Sequence, residues 1–211
     1  MTRNNLGRFR RFVVDFAALL EGDPPEALIL ERGGALLRAL VSEDDWLPDA
    51  FAAPSPPYAQ YLLHCDSAER FSVVSFVWSP GQATPVHNHT VWGLVGMLRG
   101  LEISQPFALT PSGLEAGVPS HLRPGDVEAV SPRIGDVHRV ANGLADRESV
   151  SIHVYGGKIG SLERSAFDAA GKARRFVSGY SSRVTPALWE PVSSLPPTLP
   201  HPSEHHGASL R

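Results

Sequence analysis

Three histidines are the residues of this chain best suited to chemistry: His87 and His89 in Gly81-x5-His-Asn-His, and His138 in PRIGDVHRVAN. On a strand, side chains at i and i+2 leave the same face, so both imidazoles of His-Asn-His can reach one ion. Three neutral imidazoles suit a borderline first-row metal such as iron, zinc, copper or nickel. A lone His-x-His is also an ordinary surface pattern. A third histidine, His138, with Gly125-Asp126 upstream and Asn142 four residues after it, offers a third imidazole for such an ion.

A second group lies in SVSIHVYGG. Ser151, His153 and Tyr155 alternate strictly, so a strand here presents a hydroxyl, an imidazole and a phenol on one face, with Ile152 and Val154 on the other. The three can hydrogen-bond in series, Ser151 holding His153 and His153 holding Tyr155. Taken alone, such alternation also describes a solvated strand face. His64 and Cys65 are expected to pack or bond locally, His121 to lie on the surface, and His201, His205 and His206 to bind metal only adventitiously.

The elements that must position these residues change character along the chain. Phe9, Phe12, Val13, Phe16, Leu19 and Leu20 recur at helical spacing until GDPP at 22–25, and a second helix is expected from Glu26 to about Val41, with Gly33 and Gly34 weakening or kinking it. From about Tyr58 the pattern becomes seven short β-rich runs: YAQYLLHCD, FSVVSFVW, HTVWGLVGML, LEISQPFAL, DVEAVSP, HRVAN and SVSIHVYG. Helices first and strands after argue for a sandwich or barrel, not parallel βαβ units. The expected organisation is one domain: a helical cap at 1–45, a barrel at 46–185 and a proline-rich irregular tail at 186–211, with six prolines from Pro186 onward.

Composition narrows the partners. With 19% charged residues and a formal net charge of -3, no basic field exists to gather nucleic acid or an anionic membrane. No apolar run approaches the roughly 18 residues of a spanning helix. Arg8, Arg10 and Arg11 precede an apolar stretch, but Asp15 interrupts it, so no secretory signal is expected. One cysteine permits no intrachain disulfide, and a cytoplasmic location is expected. A homo-oligomer is possible but not indicated.

The two histidine stretches together resemble the two cupin motifs, over roughly residues 81–142. That resemblance implies a mainly β fold, a double-stranded β-helix or jelly-roll barrel, with His87, His89 and His138 on one metal. The sequence departs from the pattern twice. The places of the usual glutamate ligand hold Gly93 and Leu94, and the second motif has one extra residue before and after Pro132. Without that carboxylate, the charge of a divalent ion is left for the substrate to offset, which favours a thiolate.

With the Ser-x-His-x-Tyr strand added, the stretch from about Pro57 to Arg164 resembles the cysteine dioxygenase family of thiol dioxygenases. The resemblance implies one Fe(II) per chain on the three histidines, Ser151, His153 and Tyr155 as an outer triad, and a small thiol carboxylate oxidised by O2 to a sulfinic acid. In the animal enzymes a cysteine cross-links to the tyrosine; that place is Gly93, so no thioether can form. Where cysteine-selective members carry a carboxylate-binding arginine, this chain has Gln60. It is similar there to a glutamine-type branch that prefers 3-mercaptopropionate to cysteine, and Arg164 matches that branch's arginine. Both are expected to bind substrate, with Tyr155. Two other readings keep the barrel: a zinc or manganese isomerase or hydrolase, and a non-catalytic cupin that binds a small ligand.

Overall fold

The computed structural model describes residues 5–189. Two helices, α1 (Leu6–Leu19) and α2 (Glu26–Val41), precede the strands. One sheet runs in spatial order β1 (Ala59–Cys65), β2 (Ser72–Trp78), β10 (Ser149–Tyr155), β4 (Gly93–Arg99) and β8 (Val127–Val130). The other runs β12 (Ala173–Phe176), β11 (Arg164–Phe167), β3 (Val86–His87), β9 (His138–Asn142), β5 (Glu102–Thr110) and β6 (Gly113–Ala116), with β7 (Ser120–Leu122) also on β5. All pairings are antiparallel. The fold is a mainly β cupin fold with two N-terminal helices, as the motifs imply.

The helices explain why β2 and β10 are buried along their whole length. A sheet with one solvated face alternates polar and apolar residues, but here both faces are covered. Val150, Ile152 and Val154 of β10 join Phe9, Phe12 and Phe16 of α1 and Leu37 and Leu40 of α2 in one apolar core. Each fully buried side chain of this size contributes roughly 1.5–3 kcal/mol. The opposite face of β10 carries Ser151, His153 and Tyr155 into the space between the sheets. The cap therefore anchors the back of the strand whose front faces the site.

Four sequence expectations need correction. Helix α2 runs unbroken through Gly33 and Gly34. Instead of kinking the helix, Gly33 lets it approach closely, because a Cβ there would lie 2.8 Å from Phe16 and 3.1 Å from Leu94. HTVWGLVGML is not one strand, since Thr90 adopts a positive φ of 64° and pairing resumes only at Gly93. The segments carrying β6, β7, β11 and β12 were not anticipated as strands; His121 is exposed but sits on β7. Finally, the start of the expected tail is packed: Leu188 is buried in the helical core, and the Arg10 Nε donates to its carbonyl at 2.8 Å. Residues 190–211, with His201, His205 and His206, lie outside the described residues. Among the described residues no helix is long and apolar enough to cross a membrane.

Candidate metal centre

His87 and His138 are direct partners across the β3–β9 pairing, which brings their side chains together in the second sheet. His89 joins them by a different route. It lies beyond the end of β3, where the Asp136 carboxylate accepts hydrogen bonds from the His89 backbone N–H at 3.0 Å and the Thr90 N–H at 2.9 Å. Asn88 replaces a continuing strand: its N–H donates to the Ser165 carbonyl at 3.0 Å, and its Oδ1 accepts from the Ser165 N–H at 2.8 Å. The three imidazoles are buried, their ring centroids lie 4.8–4.9 Å apart, and their ligand atoms fall within 4.8 Å of one another.

Each ring is held through its Nδ1. That of His87 meets the Pro85 carbonyl at 3.1 Å, that of His89 the Asp136 carboxylate at 2.9 Å, and that of His138 the Ser104 hydroxyl at 3.2 Å. The three Nε2 atoms are left for an ion, the arrangement by which outer hydrogen bonds fix the tautomer and orientation of metal-binding histidines. Burial holds all three below the usual histidine range, with neighbouring imidazoles adding to this at His87 and His138 and Asp136 opposing it at His89. Neutral imidazoles are the form that ligates. The residues therefore fit a metal ion.

The Ser-His-Tyr strand stands opposite, on the first sheet. Trp78 Nε1–H donates to Ser151 Oγ at 3.1 Å, Ser151 Oγ lies 2.8 Å from His153 Nε2, and His153 Nδ1 lies 2.8 Å from the Tyr155 hydroxyl. An indole N–H can only donate. Running the series from Trp78 to Ser151, to His153, to the Tyr155 oxygen leaves the one unpaired hydrogen on the phenol that lines the cavity, whereas the reverse direction would strand it on the fully buried Ser151 hydroxyl. Burial raises the Tyr155 pKa, so the group stays a phenol. Its ring stacks on His89, with centroids 5.4 Å apart. Gly93 is its cross-strand partner, and a Cβ at that position would lie 2.9 Å from the ring. The glycine that rules out a thioether thus makes room for the tyrosine.

Between the two groups lies a cavity of about 390 Å³ lined by His87, His138, His153 and Tyr155 together with Gln60 and Arg164. Arg164 is only 5% exposed, which removes the solvated-loop reading of this residue. Burial lowers its pKa, but a guanidinium remains cationic. Its Nη2 donates to Ser178 Oγ at 2.6 Å, Phe176 lies against it at 4.7 Å, and its Nε has no partner. Gln60 lines the same cavity beside it. Its Nε2 already donates to Ser178 Oγ at 3.1 Å and the Gly179 carbonyl at 3.0 Å, so both amide hydrogens are engaged. Gln60 therefore positions the Ser178 that holds Arg164, and offers the cavity no free donor.

Sequence reasoning missed Asp136, Ser104, Trp78 and Ser178. Asp136 stands two residues before His138, a spacing that could have flagged it; nothing local marks the others, Ser104 and Trp78 arriving through cross-strand pairing and Ser178 from the segment after β12. Glu102 was also missed. It is fully buried on β5 without a hydrogen-bond partner, and its Oε2 lies 3.9 Å from His153 Nε2.

No protein-family model matches the sequence. Among solved structures, the chain is similar to an uncharacterized conserved protein with a double-stranded β-helix domain from Klebsiella pneumoniae, at 19% identity over 64% of this chain and 98% of that one, with a TM-score of 0.43. It is similar to a cupin domain from Bordetella pertussis at 24% identity over 49% and 96%, with a TM-score of 0.36. It is also similar to an oxalate oxidase in complex with the substrate analogue glycolate, at 17% identity over 48% and 52%, with a TM-score of 0.39. At these levels of likeness the chemistry has to be read from this chain's own side chains.

Proposed function

We propose that the protein is an iron-dependent thiol dioxygenase that adds both atoms of O2 to the sulfur of a small thiol carboxylate, giving a sulfinic acid. The observation that carries this reading is a cluster of three neutral imidazoles with no carboxylate ligand, two of which line a cavity shared with the Tyr155 phenol and a buried guanidinium whose Nε has no partner. Ferrous iron bound by His87, His89 and His138 would supply a Lewis acid that deprotonates a coordinating thiol and a redox centre that activates O2.

The chain's own residues do the rest. Arg164 binds the substrate carboxylate, because an unpaired guanidinium in a buried wall is matched by a planar anion in charge and shape. Ser178 and Gln60 keep that guanidinium aimed into the cavity. Tyr155 donates its hydroxyl hydrogen to the substrate or to the oxygen being transferred, and Ser151 and His153 fix its direction. Holding sulfur and carboxylate at fixed points orients the thiol before reaction. Tyr58 and Trp78, whose rings lie 4.8 Å apart, give the cavity an aromatic wall that limits water.

The test is O2 uptake by the iron-loaded protein with 3-mercaptopropionate, cysteine and cysteamine. Uptake with the two carboxylates and little with cysteamine, which has none, is expected. A zinc-loaded sample should consume no O2; zinc as the native metal with no iron-dependent uptake would point instead to an isomerase or hydrolase. Absence of thiol-dependent uptake in every case would overturn the proposal.

A further inference from the structure

The β11–β12 hairpin brings a second guanidinium to the same cavity. Its register pairs Arg164 with Phe176 and Ala166 with Arg174, so Arg164 and Arg174 are diagonal neighbours on one face. Such neighbours lie about 7–8 Å apart at the backbone, within reach of one another for side chains this long. All four side chains of that face line the cavity. Arg175, between Arg174 and Phe176, belongs to the opposite face and pairs with Glu163 at 2.9 Å. Arg174, in contrast, makes no ion pair and no side-chain hydrogen bond among the described residues, while Arg164 keeps a buried, unpartnered Nε.

Charge and volume point the same way. The cavity wall contains two guanidiniums and no aspartate or glutamate. At about 390 Å³ the cavity falls in the range that accommodates ligands well beyond three carbons. One carboxylate, held by Arg164, leaves both the second cation and much of the space unused.

We infer that the preferred substrate is a thiol carrying two carboxylates, one bound by Arg164 in the wall and the other by Arg174 on the adjoining strand. The thiol part of this inference rests on the dioxygenase reading, whereas the two carboxylates rest on the hairpin. Arg174 is then the residue that sets specificity between mono- and dicarboxylates, and its exposure makes its contribution modest and sensitive to salt.

Calorimetric titration of the iron-loaded protein under nitrogen, with 2-mercaptosuccinate against 3-mercaptopropionate, measures binding without turnover. Binding of the dicarboxylate about five- to tenfold tighter is expected. Arg174→Gln should erase that preference, weakening 2-mercaptosuccinate binding by about five- to tenfold more than 3-mercaptopropionate binding, and Arg174→Lys should retain part of it. Equal binding of the two thiols by the unaltered protein, or a preference that survives Arg174→Gln, would overturn the inference. Oxygen uptake then separates the two claims. A dicarboxylate preference without oxidation of any thiol leaves the Arg164–Arg174 pair standing and removes the dioxygenase; oxidation of both thiols with equal kcat/KM removes Arg174 from specificity alone.

Discussion

The two polar groups that face each other across the cavity are built in opposite ways. Strand β10 is paired on both sides, and its pleat alone sets Ser151, His153 and Tyr155 in a row. The His-Asn-His segment has only a two-residue strand, after which side chains take over: Asp136 holds His89 and Thr90, and Asn88 pairs with Ser165. A pleat gives a straight series suited to passing a hydrogen bond along one line. Three ligands converging on one point need rings aimed from different directions, which a flat strand does not supply. The metal group should therefore depend on a few outer hydrogen bonds, and the β10 group on the sheet and the cap behind it.

That contrast breaks most visibly at Asp136. Asp136→Ala removes three acceptor contacts at once and should weaken metal binding by about 10–100-fold, measured by competition with a chelator. On the opposite side, Tyr155→Phe should lower kcat by about 10–100-fold while leaving metal affinity within about twofold. Loss of metal from the tyrosine variant, or a catalytic defect without metal loss in the aspartate variant, would merge two roles that the geometry keeps apart.

Acid should act on the histidine side first. His87, His89 and His138 are held neutral by burial in the fold, whereas in the unfolded chain they titrate near 6.5. As pH falls below that value the unfolded state gains protons that the folded state does not accept, so the metal-free protein loses stability on acidification. The slope is up to about 1.4 kcal/mol per pH unit for each histidine, and vanishes above the unfolded value. Denaturant melts of metal-free protein between pH 5 and 8 should show it, and His87→Phe should reduce the slope. A smaller effect, about 1 kcal/mol of stability, is expected for Asn88→Ala, which leaves the Ser165 N–H without its acceptor.

Legibility in the sequence follows the same division. The alternation in SVSIHVYGG placed three side chains correctly because a fully paired strand obeys its period of two. The same rule applied to His-Asn-His brought the right residues together for the wrong reason, since Thr90 turns the chain and Asp136, distant in the fold's connectivity, does the placing. Helix α2 was readable from its leucines, but Gly33 was not: its value lies in the ring of Phe16 and the side chain of Leu94, neither of which is a neighbour in sequence. Arg164 was found by resemblance. Its burial, its support by Gln60 through Ser178, and its diagonal relation to Arg174 depend on a hairpin with no strong β pattern of its own.

The central claim, that the three-histidine centre directs O2 onto the sulfur of a small thiol carboxylate, is tested most directly by isotope labelling. Iron-loaded protein is given a thiol carboxylate under ¹⁸O2, and the product is weighed by mass spectrometry. A sulfinic acid carrying two labelled oxygen atoms, absent with a His138→Ala variant, is the result expected. A disulfide, an unlabelled product, or labelled product formed equally well by the variant would contradict it.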